Sequence, residues 1–139
     1  MERIDRDSRS APTCRGSATV ATLATPAGSS HDRTTQAVTV GAASAFSLDL
    51  VRGLGLDLYQ IHWYDKYELR TPLDQPVAAF ALDRPVLLGE FPTRGSRCSA
   101  GEILATARGT GYAGALGWPA AADDEASDRG ALLAALSAL

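Results

Sequence analysis

Arg84-Pro85-Val86-Leu87-Leu88-Gly89-Glu90-Phe91-Pro92-Thr93 is an apolar run entered through a proline and broken by a single carboxylate. Unbroken Val and Leu, without the alternation of a half-solvated strand, predict a strand buried on both faces over Pro85 to Phe91, as in parallel sheets. Glu90 leaves that strand at its carboxyl end, where loops and helix N-termini converge and reactive groups gather in parallel α/β architectures. Burial and neighbours there can tune a carboxylate for chemistry. The competing reading is a strand-end glutamate that caps a helix or pairs with Arg94 or Arg97.

Working outward, strand-like and helix-like segments alternate on both sides. Upstream, Ala37 to Ala42 reads as a short β-branched strand, Ser47 to Arg52 as a brief helix, and Leu56 to Tyr64 as a strand rich in β-branched and aromatic residues. Residues 72–82 form a helix or an irregular crossover. Downstream, Ala100 to Gly109 has helical spacing, with Ser99 as N-cap and Gly109 or Gly111 as terminator. Tyr112 to Trp118 reads as a strand of small residues, Asp123 to Asp128 as an acidic turn that caps the next helix, and Arg129 to Leu139 as that helix. The alternation predicts an α/β fold, a parallel sheet with right-handed crossovers. About four βα units would make half of a (β/α)₈ barrel or, equally, a small open sheet, and the pattern does not choose between them.

Each strand end carries a polar or aromatic group. His62 is placed to orient a substrate hydroxyl or the Glu90 carboxylate, or else is a satisfied structural histidine. Tyr64 shares its face, whereas alternation sends Trp63 to the opposite face, under a helix. Trp118 is either a stacking platform for a sugar ring or core, and Tyr59, mid-strand, is core.

The chain has 139 residues, against ~250 for a complete barrel, so a whole barrel does not fit in it. Hydrophobic residues at 45% and charged residues at 21% indicate a folded domain over 37–139. Residues 1–36, rich in Ser, Thr, Ala, Gly and Arg, read as a poorly ordered leader. A net charge of -3 offers no electrostatic footprint for nucleic acid or an anionic membrane, and no apolar run is long enough to span a bilayer. The charged Met1-Glu2-Arg3-Ile4-Asp5-Arg6-Asp7 lacks a secretory signal, so the expectation is a cytoplasmic chain or one whose N-terminal segment is missing. Cys14 and Cys98 lack metal or redox spacing, and a disulfide between them stays open. The acidic turn lacks the spacing of a calcium loop and the glycines form no nucleotide motif, so no cofactor is expected.

In order and spacing, VTVGAAS, LDLYQIHWYD, RPVLLGEFPT and GYAGALGWPAAADDEASD resemble strands five to eight of a retaining glycoside hydrolase of the cellulase/mannanase type, over Val38 to Asp128. The resemblance implies the C-terminal half of a TIM barrel that hydrolyses O-glycosidic bonds in β-linked oligo- or polysaccharides. It places the nucleophile on Glu90, substrate-positioning groups on His62 and Tyr64, and a sugar platform on Trp118. The family's acid/base glutamate follows an asparagine at the end of strand four, and this chain contains no asparagine. Glu68, Glu102 and Glu125 stand in loop or helix contexts outside the implied site. Retaining hydrolysis needs two carboxyl groups about 5 to 5.5 Å apart, so the chain alone is expected to be inactive. The alternative is a non-catalytic carbohydrate-binding or half-barrel assembly protein that self-associates or pairs with a complementary half.

Overall fold

The computed structural model describes residues 37–68, 71–118 and 124–139. The leader read over 1–36, with Cys14, lies outside the described residues; Cys98 is buried and is not a free thiol. Four strands, β1 (Gly41–Ala42), β2 (Tyr59–His62), β3 (Val86–Pro92) and β4 (Gly114–Trp118), form one sheet in the order β1-β2-β3-β4. Every pairing is parallel. Sequential order lacks the reversal of a doubly wound open sheet and matches the order within a barrel.

The connections between the strands are 3₁₀ and α-helical. A 3₁₀ segment at Ala45–Leu50 follows β1 and another at Val77–Phe80 precedes β3. Helix α1 (Ala100–Thr110) joins β3 to β4, and α2 (Arg129–Ser137) follows β4. The start of α1 is written in Ser99, whose hydroxyl accepts from the Glu102 N–H while Glu102 Oε2 accepts from the Ser99 N–H, satisfying two otherwise orphaned donors. Its end is written in Gly111, at φ 95°, where a side chain would strain the left-handed turn. Asp128 caps α2 by accepting from the Ala131 N–H.

Three strands are shorter than the sequence suggests, β4 by starting at Gly114 and β1 and β2 by starting late, where Asp57 intervenes. Its side chain accepts from the Val38 N–H at 2.8 Å, and its own N–H donates to the Val38 carbonyl at 3.0 Å. Val38 is thus clasped by a loop residue, so pairing begins only at Gly41 and Tyr59.

Tyr59, Ile61 and Trp63 alternate onto one face of β2, where with Val86, Leu88 and Phe91 they meet Leu48, Leu73, Ile103, Leu104 and Ala107 in a single core. The helical segments lie on this face. On the other face Gln60, His62, Leu87 and Glu90 are half-buried and Leu116 is exposed. The expectation that β3 is buried on both faces is therefore corrected: the face of Val86, Leu88 and Phe91 is buried, but Leu87 and Glu90 on the other are half-buried, because among the described residues nothing packs fully over that second face.

Candidate functional site

The site is built from β2 outward. Because Tyr59, Ile61 and Trp63 are anchored in the core, alternation forces Gln60, His62 and Tyr64 onto the uncovered face, and the register sets His62 beside Glu90. A register shift follows Ile61, so Leu88 pairs with Ile61 and Glu90 with His62, which turns the Glu90 carboxylate toward the β2 side chains. Two glycines make room. A Cβ on Gly89 would lie 2.0 Å from Gln60 Cγ, and one on Gly41 would lie 2.7 Å from His62 Nε2.

Glu90 is held at both oxygens. The Tyr64 hydroxyl donates to Oε1 in a short hydrogen bond, and His62 Nδ1 lies 3.2 Å from Oε2. On the far side of the imidazole, Gln60 Nε2 lies 3.4 Å from His62 Nε2. With the amide nitrogen donating, the ring accepts at Nε2 and carries on Nδ1 the proton that faces the carboxylate. Burial first, then the hydrogen bond to Glu90 and its charge, push the Tyr64 phenol well above its usual range, so it stays a donor. The Asp124 charge acts on Tyr64 in the same direction.

Neither arginine offered as a structural partner reaches Glu90. Arg94 Nη2 donates to the Asp124 carbonyl at 2.6 Å, and Arg97 donates through its backbone N–H and Nε to Asp65 Oδ2 at 2.9 and 3.2 Å. Trp63 is buried, on the face opposite His62.

Trp118 ends β4, with its side chain 38% exposed. Its indole Nε1–H donates to Asp124 Oδ2 at 3.1 Å. Thr93 ties the neighbouring ends together: its hydroxyl donates to the Trp118 carbonyl at 3.1 Å and accepts from the Asp128 N–H at 2.6 Å. Glu90, His62 and Tyr64 therefore form one contact cluster, and Trp118 stands on the adjoining strand end. Gln60 and Asp124 join them although the sequence did not single either out. Gln60 was legible as a same-face neighbour of His62; Asp124 was absorbed into a solvated turn, and only the fold brings it to Trp118. Among the described residues no group of three His, Cys, Asp or Glu is arranged to hold a metal ion, and no helix is long and apolar enough to cross a membrane.

No protein-family model and no curated protein matches the chain. Among solved structures it is similar to an endo-1,4-beta-mannanase from Eisenia fetida, at 27% identity and a TM-score of 0.59, over 72% of this chain and 34% of that one. The chain thus corresponds to about a third of that structure's length. The similarity supports a glycoside hydrolase-like α/β fold.

Proposed function

We propose that the chain is a sector of a (β/α)₈ glycoside hydrolase for β-linked glycans, with Glu90 as nucleophile, His62 and Tyr64 as its positioning partners and Trp118 as a sugar platform. The observation that carries this reading is a strand-end carboxylate with a donor on each oxygen, in a chain similar to a β-mannanase. Two donors hold the carboxylate in one orientation, as a nucleophile requires. In the retaining reaction one Glu90 oxygen bonds to the anomeric carbon while the glycosidic C–O bond breaks, its electron pair leaving with the departing oxygen. A second carboxyl group must protonate that oxygen. Where the described carboxylates shift clearly, at Asp65, Asp83 and Asp124, each is lowered, the wrong direction for a general acid at neutral pH. The chain by itself is therefore expected to lack the acid step, a loss of roughly 10²- to 10⁴-fold.

A dinitrophenyl 2-deoxy-2-fluoro-β-mannoside separates the two halves of this reading, because dinitrophenolate departs without a proton. The expected result is a covalent glycosyl adduct mapped by peptide mass to Glu90 and absent from Glu90→Gln, together with little or no reducing-sugar release from β-mannan or β-glucan oligosaccharides. An equal adduct in Glu90→Gln would remove Glu90 from the nucleophile position.

One observation favours a second reading, assembly with a complementary half. Among the described residues β1 and β4 each pair along one edge only, and Val38, Val40 and Leu116 are exposed near those edges. Self-association predicts a sedimentation mass above that of the 14.5 kDa chain and rising with concentration; a monomer at all concentrations would remove pairing between copies.

A further inference from the structure

We infer that Asp124 is a positioning residue for the Trp118 indole, fixing the plane that the ring presents at the carboxyl end of β4. This rests on the reading of Trp118 as a sugar platform.

Trp118 has few other constraints. It ends the outer strand β4, its side chain is substantially exposed, and its backbone carbonyl is held by Thr93. A tryptophan so placed turns about two side-chain torsions, and ordering it on binding costs entropy that weakens the complex. The Nε1–H of the indole is its single hydrogen-bonding group, so one well-placed acceptor fixes the ring while leaving both π-faces bare. Asp124 Oδ2 is that acceptor, at 3.1 Å.

Asp124 is itself rigidly held. Its Oδ1 accepts from the Ala126 N–H at 2.9 Å, its N–H donates to Ser127 Oγ at 3.0 Å, and its carbonyl accepts from Arg94 at 2.6 Å. The same residue thus closes the turn before α2 with one oxygen and reaches back six residues to the indole with the other. The Ala126 N–H is the largest influence on its carboxyl and, with Trp118 and Ser127, holds it below the usual range against the effect of burial. The acceptor therefore stays ionised through the neutral range. Trp118 pairs with Pro92, two residues beyond Glu90 on β3, so the pinned ring stands at the same end of the sheet as the carboxylate cluster.

The test is an ¹⁵N-correlated spectrum of the full chain, in which Trp63 and Trp118 supply the two indole N–H resonances. Trp118→Phe assigns them. The expected result is a rigid Trp118 indole whose resonance moves as the pH falls through the Asp124 titration, and which becomes mobile in Asp124→Ala while the Trp63 resonance is unchanged. An indole already mobile in the unmodified chain, or untouched by Asp124→Ala, overturns the inference.

Mannohexaose supplies the functional readout. Its affinity is expected to fall about 3- to 10-fold in Asp124→Ala, and Asp124→Ala is expected to cost nothing further in the Trp118→Phe background, where the donor is gone. An equal loss in both backgrounds overturns the inference, since Asp124 would then act on the sugar or through the turn. A rigid, Asp124-dependent indole in a chain that binds neither mannan nor glucan oligosaccharides would instead count against the proposed function and leave the positioning role standing.

Discussion

Glu90 is defined by its contacts more than by its position in the sequence. A glutamate at the end of an apolar strand has many structural uses, and the sequence supplied two arginines close enough to serve them. Asp65 takes Arg97 and the Asp124 carbonyl takes Arg94, which leaves Glu90 to Tyr64 and His62. The Tyr64 contact has a consequence on the alkaline side. Its phenol is raised by burial and by Glu90, so the folded chain keeps a proton there that the unfolded chain begins to lose near pH 10. The sign is that of any group with a raised native pKa: its stabilisation is complete below the unfolded value and declines as pH rises above it. The melting temperature is expected to fall from about pH 10 upward, and Tyr64→Phe is expected to flatten part of that slope. Tyr59 and Tyr112, both raised chiefly by burial, carry the remainder.

At the scale of elements, α1 was the most legible part of the chain because its start is encoded locally. Ser99 caps within one turn of backbone and marks the start, while of the two terminators the sequence offers, Gly109 and Gly111, the helix ends at Gly111. Ser99→Ala is expected to cost about 1 kcal/mol, read as a lower urea midpoint at unchanged slope. Strand boundaries were less legible. The Val38 backbone is claimed by Asp57, nineteen residues away, a contact that strand propensity does not contain. The crossover before β3 likewise forms only a four-residue 3₁₀ turn at Val77–Phe80, followed by Ala81 at φ 49°.

At the scale of the whole molecule, the described residues form four parallel strands in sequential order that carry helical segments on one face and leave the other partly open. The loop pair of buried Asp65 and exposed Arg97 links the end of β2 to the turn before α1. Burial alone would raise the Asp65 carboxyl, but the Arg97 N–H, guanidinium and charge outweigh it and hold the carboxyl down. A lowered native pKa contributes stability that is present above the unfolded value and lost as pH falls through the folded one. Acid unfolding is thus expected to steepen below about pH 4, and Asp65→Asn is expected to lower stability at pH 7 while shrinking that acid-side decline, measured by urea midpoints from pH 2 to 7.

The sequence by itself determined the alternation of strands and helices, the Ser99 N-cap of α1, the inward burial of Tyr59 and Trp63, and the shared face of His62 and Tyr64. Each of these follows from a period or a spacing of a few residues, which short-range sterics and hydrogen bonds enforce. Only the tertiary structure decided that the strands lie in sequential order, that Glu90 falls beside His62 and Tyr64, and that Arg94 and Arg97 go to other partners. Those depend on register between strands and on which donors are already spent, and such competition is settled in space between residues that the chain keeps apart.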